Sequence, residues 1–399
     1  MRVLSLHNRY QLQGGEDIVV MREAEMLRAF GVPVDVFEIT NDAITTLREK
    51  IKTIVHVGYS SDMRDQVRQR IRSFKADVVH VHNFFPRFTP AVYDAARDEG
   101  CGIVQTLHNY RLMCAGGLLF RDGQICTDCL TKESRFPGLS HRCYRKSLVG
   151  TAALTGMVAL HSMLGTWRDK VGCYIVLTEF ARSLFVANLG IPADRVIVKP
   201  NVVPDLGTAH EEKGYALFVG RLSSEKGVTS ILRAVETGTL PLPVKIVGTG
   251  PMEPAVRTTA EAMGGDLEFL GAKSNDEVHR LLRGARMLLA PSVWHEAGVP
   301  LVIGEAFSAG VPVITTRLQP MESIVEDGRN GLLVTPESEA DICAAVTRLT
   351  SDDRLHAAMS IDARRSYEKH YSPSCNQPAL MNIYAKAVDR ARQPITAIA

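Results

Sequence analysis

Three turns in the second half of the chain carry residues whose types and spacing suit the binding of a diphosphate. The apolar run Tyr215–Val219 enters Gly220-Arg221-Leu222-Ser223-Ser224-Glu225-Lys226-Gly227. A glycine, an arginine and a lysine at a strand-to-helix turn supply close backbone approach, fixed cations and a helix N-terminus. Val244–Val247 ends in Gly248-Thr249-Gly250-Pro251, where two glycines would let a ligand lie against the main chain. Leu267–Phe269 ends in Leu270-Gly271-Ala272-Lys273, the next turn along the same edge, where a base could be held. Taken singly these are ordinary features, since cations on exposed turns and glycines in βα turns are common. The stretch 290–312 adds His295, Glu296 and Glu305 to the same edge.

The elements that must position these turns follow from hydrophobic patterning. At 399 residues the chain suits two domains of about 200 residues each. Arg2–Leu6, Val32–Phe37, Val78–Val81, Ile103–Leu107 and Val171–Leu177 read as strands. Asp17–Phe30, with Val20, Ala24, Leu27 and Phe30 at helical spacing, Ala91–Glu99 and Glu179–Leu189 with its Gly190 stop read as helices. β-branched runs of this kind belong to buried parallel strands. After the polar, turn-rich stretch Lys199–Gly214 the alternation restarts. Strands Tyr215–Val219, Val244–Val247, Leu267–Phe269, Met287–Ala290 and Val311–Thr315 alternate with helices Gly227–Val235, Glu253–Met263, Asn275–Arg283 and Val302–Ala309. The expected fold is α/β: two Rossmann-like doubly wound parallel-sheet domains facing a cleft. The expected boundaries are 1–198, a linker 199–214, 215–372, and a C-terminal helix in 373–399 that crosses back to the first domain. Open sheets of this kind bind ligands beyond the carboxyl ends of their strands.

The motifs G-R-L-x-x-E-K-G, G-x-G-P, F-L-G, P-S-x-W-x-E and P-L-V-I-x-E-A-F-x-A-G-x-P-V-I occur here in that order. In this combination the chain resembles the retaining glycosyltransferase family four, of the two-Rossmann GT-B architecture. Gly14-Gly15 after the first strand, His80-Val81-His82 at a strand end and Leu107-His108-Asn109-Tyr110 extend the resemblance into the first half. It implies that Arg221 and Lys226 hold the donor diphosphate, that Glu305 meets the ribose hydroxyls, and that His108 contacts the donor sugar near the reacting carbon. Glu305 is expected at the start of its helix, where the macrodipole favours a carboxylate. Gly14 and Gly15 would admit the diphosphate or the acceptor. One departure stands out: the family's two glutamates flank seven residues, whereas Glu296 and Glu305 flank eight. Either a bulge at Ala297-Gly298 absorbs the extra residue, or His295, Ala297 or a backbone group shares the first glutamate's role.

His108 alone would be an ordinary strand-end histidine, and His7, His80 and His82 divide between acceptor-site and structural roles. His7-Asn8 through Glu16-Asp17 is expected to form an acceptor-side loop. Cys101, Cys173, Cys343 and Cys375 are scattered and read as small buried residues. Cys114, Cys126, Cys129 and Cys143, with His141 beside them, cluster in an insertion at 112–144. A structural zinc, free thiols or disulfides are all compatible with them. This insertion is expected to overhang the acceptor side.

The net charge of +2 argues against a nucleic-acid partner. Residues 1–200 hold 26 Lys/Arg against 20 Asp/Glu, so the first half is mildly basic. Arg64, Arg68, Arg70, Arg72 and Lys75 lie on one helical stretch, a solvated face or a docking surface for anionic lipid. The apolar stretch Ser147–Trp167, diluted by Thr151, Thr155, His161, Ser162 and glycines, reads as a buried helix rather than a membrane span. The start shows no signal-peptide pattern. The chain is therefore expected in the cytoplasm, with peripheral membrane contact at its inner face.

The expected activity is transfer of a hexose from GDP-mannose or a UDP-hexose to a glycan or lipid-linked acceptor in bacterial surface polysaccharide synthesis, with retention. No Asp-x-Asp pair stands in these turns to hold a divalent metal, so no catalytic cofactor is expected beyond the nucleotide-sugar co-substrate. Alternatives are a nucleotide-sugar epimerase on the same fold or a non-catalytic sugar-nucleotide-binding partner. A nicotinamide dehydrogenase fits less well, because Q-L-Q-G-G-E replaces G-x-G-x-x-G after the first strand.

Overall fold

Short β-branched runs build a six-stranded parallel sheet in each half of the chain. The computed structural model describes all residues except 10–13, 43–44, 209–213 and 394–399. The chain divides into two compact units: Met1–Leu119, Thr127–Val202 and Asn376–Ala399 form one, Phe120–Cys126 and Val203–Cys375 the other. Both are Rossmann-like α/β domains, as the alternation of strand and helix patterns predicts.

In the first unit the strands are β1 (Val3–Arg9), β2 (Val34–Thr40), β3 (Val78–Asn83) and β4 (Gly102–Thr106). Beyond a two-stranded antiparallel hairpin that belongs to the second unit, β5 (Phe120–Arg121) and β6 (Gln124–Ile125), come β7 (Cys173–Val176) and β8 (Val196–Val198). The parallel order is β2-β1-β3-β4-β7-β8, so the direction of winding reverses between β1 and β3. The helices are α1 (Gly15–Ala29), α2 (Leu47–His56), α3 (Ser61–Phe74), α4 (Ala91–Asp98), the short α5 (Asp128–Thr131) and α6 (Phe136–Ser140), α7 (Leu148–Met163) and α8 (Glu179–Leu189). The bounds of α8 are set by chemistry visible in the sequence. The Thr178 side chain accepts from the Ala181 N–H, and Gly190 ends the helix at φ 62°.

The second unit holds β9 (Ala216–Val219), β10 (Val244–Val247), β11 (Leu267–Gly271), β12 (Met287–Ala290), β13 (Val313–Thr316) and β14 (Gly331–Val334). Its helices are α9 (Val228–Glu236), α10 (Glu253–Met263), α11 (Asn275–Gly284), α12 (Leu301–Ser308), α13 (Met321–Ile324), α14 (Glu339–Ser351) and α15 (Asp353–His370). The parallel order β11-β10-β9-β12-β13-β14 places its reversal between β9 and β12. Side chains alternate between two cores: Ala216 and Phe218 of β9 and Met287 and Leu289 of β12 enter one, Leu217, Leu288 and Ala290 the other. Burial on both faces explains why these strands read as continuous apolar runs.

A last helix, α16 (Pro373–Arg392), contributes Leu380, Ile383, Tyr384 and Ala387 to the first unit's core. Its backbone lies so close to β4 that a Cβ on Gly102 would stand 2.7 Å from the Val388 nitrogen. Burying Leu380 and Ile383 contributes about 1.5–3 kcal/mol each.

Three details differ from the pattern reading. Phe30 caps α1 and is exposed, because the helix ends before its apolar face comes round again. The helix α7 is only half-buried: Leu154, Met157 and Val158 pack inward, while Leu148, Val149, Leu160 and Met163 are exposed. No helix among the described residues is long and apolar enough to cross a membrane. The arginines of α3 are paired within their own unit, Arg64 with Asp98, Arg68 and Arg72 with Glu99, and Arg70 with Asp35. That stretch therefore presents little uncompensated charge to an anionic surface.

Candidate functional site

The second sheet's reversal point brings together two loops that the sequence keeps about seventy residues apart. The turn after β9 contains Gly220–Gly227, and the loop after β12 runs from Pro291 to Pro300. They are joined by a backbone bond from the Val293 N–H to the Glu225 carbonyl, 2.9 Å, and by an ion pair from Lys226 Nζ to Glu296 Oε1. Ser292 Oγ donates to the same Glu296 oxygen at 3.0 Å, and Lys226 Nζ also stands 5.4 Å from the centre of the buried Trp294 ring. Arg221 is exposed on the same turn. Trp294 Nε1 is buried without a hydrogen-bond partner among the described residues. Crevices beyond the carboxyl ends of strands at such a reversal are where open α/β sheets take ligands.

Glycine is obligatory in these turns for reasons internal to the fold. Gly227 has φ 72°, and a Cβ there would stand 1.9 Å from the Pro291 carbonyl oxygen. Gly248 (φ 139°) and Gly250 (φ 158°) would collide with the carbonyls of Gly220 and Leu222, at 1.9 and 2.4 Å. The two glycines after β10 thus let one turn pack on the next, a different reason from ligand approach. Gly14 is the converse case: φ is −127°, and a Cβ would meet nothing within 4 Å. Gly15 is the exposed first residue of α1.

The remaining second-unit candidates separate. Glu305 is buried and faces His279 Nε2 at 3.5 Å. It is the fifth residue of α12, whose first turn has no acidic side chain, so the macrodipole argument for it does not hold. Of the eight residues between the two glutamates, 297–300 form no regular element and 301–304 open α12. His295 lies with Nδ1 2.7 Å from the Gln319 carbonyl oxygen, which can only accept, so Nδ1 carries the proton. Lys273 is exposed and pairs with Glu277 one helical turn on, at 3.4 Å.

At the first sheet's reversal point, strand ends assemble a buried polar cluster. Glu23 of α1 is sequestered against β3, with Oε1 3.0 Å from His80 Nδ1 and 3.5 Å from His82 Nε2. Its other oxygen meets the buried Lys199 ammonium at 3.3 Å. His80 also faces the hydroxyls of Tyr384 (2.9 Å) and Thr106 (2.8 Å). His82 Nδ1 meets His108 Nε2 at 3.1 Å. Burial pushes the Glu23 carboxyl up, but Lys199, His80 and His82 outweigh it and hold it well below the usual range. Burial, with His80 beside it, holds His82 well below the usual imidazole value, and burial with His7 nearby brings His108 down to about 3. Both rings are neutral at neutral pH. Beside them His7 Nε2 donates to Asp17 at 2.7 Å, and Asp17 accepts the Gly14 N–H at 2.7 Å. His108 lines a small cavity with Glu16, Asn83, Phe85, Asn109 and Arg111. Part of the expected loop between Asn8 and Glu16 lies outside the described residues.

A larger cavity, of about 430 Å³, opens in the same unit between α2 and the start of α7. Lys50, Ile54, Phe85, Tyr144, Arg145 and Ser147 are among its walls.

Two family models together span nearly the whole chain: Glycosyltransferase Family 4 matches residues 13–205, and Glycosyl transferases group 1 matches residues 207–366. The chain belongs to glycosyltransferase family four. An uncharacterized glycosyltransferase of Methanocaldococcus jannaschii is 25% identical to it over 319 residues, 79% of this chain and 76% of that one. The phosphatidyl-myo-inositol mannosyltransferase of Mycobacterium leprae is 28% identical over 233 residues, 55% of this chain and 61% of that one. The structure of Anabaena HepE in complex with UDP is similar in fold, with a TM-score of 0.67 at 15% identity, covering 96% of this chain and 100% of that one.

In this glycosyltransferase Cys114 and Cys143 of the first unit both border Gly116, where a Cβ would stand 3.8 Å from the Cys114 sulfur and 3.9 Å from the Cys143 Cβ. Among the described residues, only Glu23, His80 and His82 form a group of three potential ligands within 4.8 Å of one another. That group already holds a cation of its own, the Lys199 ammonium, and both ring nitrogens of His80 are engaged. It is an ion-pair and hydrogen-bond network.

Several residues of the glycosyltransferase's two clusters went unmarked in the sequence: Glu23, Lys199, Tyr384 and His279. For Glu23 a signal exists. It falls among Val19, Val20, Ala24 and Leu27 on the buried face of α1, where an unpaired carboxylate would be prohibitive. The remainder gain their meaning only from distant partners.

Proposed function

We propose that this protein is a retaining, metal-independent hexosyltransferase that uses GDP-mannose or a UDP-hexose and acts on a glycan or lipid-linked acceptor in bacterial surface polysaccharide synthesis. The observation that carries this reading is the pair of loops at the second sheet's reversal point, with Arg221 and Lys226 on one and Glu296 on the other. In this reading the two cations take the charge that develops on the departing diphosphate, and the buried Trp294 N–H is a further donor without a protein partner. Glu305 holds the ribose, His295 and Glu296 face the sugar, and the turns at Gly248–Gly250 and Lys273 border the base. Reaction proceeds by front-side displacement through an oxocarbenium-like state. The donor's own phosphate oxygen helps take the acceptor proton while His108 accepts a hydrogen bond from the sugar. The UDP named in the HepE structure and the mannosyl transfer named for the Mycobacterium leprae relative support this donor class.

The cavity near α7 supports an anionic, part-apolar acceptor, since Lys50 and Arg145 stand among Ile54 and Phe85. The exposed apolar residues of α7 support contact with a membrane, and in this reading the reaction runs in the cytoplasm at that membrane's inner face. The test is a thermal-shift panel with UDP, GDP, ADP and their sugar conjugates. A nucleotide at 100 times its dissociation constant stabilises by about 2.7 kcal/mol. If no nucleotide moves the melt, the reading fails; donor turnover that needs no acceptor would point to an epimerase.

A further inference from the structure

We propose that Glu23, acting through His82, fixes His108 as the tautomer with its proton on Nε2 and a bare Nδ1, which makes Glu23, His82 and Lys199 positioning residues for His108. The argument runs along three contacts. The Glu23 carboxylate stands 3.5 Å from His82 Nε2, and its negative charge favours the proton on that nitrogen rather than a lone pair facing it. A neutral His82 then has a bare Nδ1, and that atom faces His108 Nε2 at 3.1 Å. His108 must donate there, which leaves its own Nδ1 as an acceptor. The identity of that nitrogen is set two rings away, by the charge on Glu23.

The rest of the cluster prevents the alternative. If the His82 proton moved to Nδ1, a bare Nε2 would oppose the buried Glu23 carboxylate, and His108 would be forced to present Nδ1–H. Lys199, 3.3 Å from Glu23, keeps the carboxylate charged. His80 cannot take over the role of His82, because its two nitrogens are committed to Glu23 and Tyr384 on one side and Thr106 on the other. The groups facing His108 and His82 are thus Glu23, Lys199, His80 and His7. The depressed proton affinities of both rings agree with two neutral imidazoles in series. A bare imidazole nitrogen accepts from a hydroxyl, and a sugar offers hydroxyls. This last step rests on the proposed function, whereas the tautomer does not.

The experiment is a long-range proton–nitrogen NMR spectrum of the full chain labelled with ¹⁵N-histidine, with His108 assigned by the signals missing from His108→Gln. The expected result at pH 7 is a protonated Nε2 and a bare Nδ1 in the wild type. In Glu23→Gln, whose amide can turn either its oxygen or its nitrogen to His82, both tautomers of His108 should be populated. Wild-type dispersion of the other histidine signals in the same spectrum shows that this variant is folded; should it not fold, His82→Gln serves for the same comparison. A wild-type proton on Nδ1, or one tautomer kept in both variants, overturns the proposal. With donor and acceptor in hand, Glu23→Gln should lower kcat at least roughly tenfold at unchanged donor KM. Absence of a UDP shift in the wild type would instead sink the proposed function and leave the tautomer result standing.

Discussion

Lys226 and Glu296 meet across the line where the second sheet reverses its winding, 2.5 Å apart, joining the turn after β9 to the loop after β12. The cation that pairs with the Glu296 carboxylate is thus one that a diphosphate would also need. Removing that negative charge should therefore favour an anionic ligand. Glu296→Gln is expected to bind UDP about five- to tenfold more tightly, the equivalent of about 1–1.4 kcal/mol. Transfer should nevertheless slow by roughly 10- to 100-fold, because the carboxylate is lost from the sugar side. Lys226→Ala should abolish the UDP-induced melt shift. Calorimetric titration with UDP checks both, and weaker binding by Glu296→Gln would refute this account of the pair.

The glycines of the two sites should separate by stability. Gly227→Ala must accommodate both a left-handed backbone and a Cβ against the Pro291 carbonyl, so the two loops have to part. A loss of about 2–4 kcal/mol is expected in urea denaturation. Gly14→Ala meets open space and an ordinary φ, so it should cost no more than about 1 kcal/mol, the preference for glycine over alanine at a helix cap. If Gly14 borders a ligand, transfer should fall in Gly14→Ala with little change in the melt.

The buried histidines give the first unit a specific pH response. His82 and His108 take up protons far less readily folded than unfolded. Below the unfolded value near 6.5 the unfolded chain binds these protons and the folded chain does not, so stability falls as pH falls. Between pH 7.5 and 5.5 each such histidine costs about 1.4 kcal/mol. Glu23, whose folded value is lowered, loses its contribution only at lower pH, as the fall passes through the carboxylate range. Urea denaturation at pH 7.5, 6.5 and 5.5 should show this slope, flattened in His108→Gln. A wild-type stability independent of pH in that window would contradict the neutral-ring assignment.

What the sequence made legible was whatever depends on neighbours along the chain. The bounds of α8 follow from Thr178 and Gly190, and the buried strands from their β-branched runs. The turn Gly220–Gly227 stands out because its cations and glycines are consecutive. What it hid was set by contacts across the fold. Glu23 and Lys199 are 176 residues apart, and His80 and Tyr384 304, so neither pairing has a local pattern. The arginines of α3 looked like free charge because Asp35, Asp98 and Glu99 lie on other elements. Gly248 and Gly250 signalled a close approach, yet the partner brought close is the protein's own backbone.

The acceptor assignment yields the last prediction. Lys50 on α2 and Arg145 before α7 line one cavity, with apolar walls between them. If an anionic acceptor group sits there, reversing either charge should affect acceptor use without touching the donor loops of the second unit. Lys50→Glu and Arg145→Glu are each expected to raise the acceptor KM at least roughly tenfold, since an attraction of about 1 kcal/mol becomes a repulsion of similar size. The UDP melt shift and the slow hydrolysis of the donor should remain at wild-type values. Both residues lie at the surface, so the fold should tolerate the changes within about 0.5 kcal/mol. Transfer kinetics with a phosphate-bearing and a neutral acceptor separate the outcomes. A KM raised only for the phosphate-bearing acceptor supports the cavity as its site, and unchanged kinetics for both would remove the cavity from the mechanism.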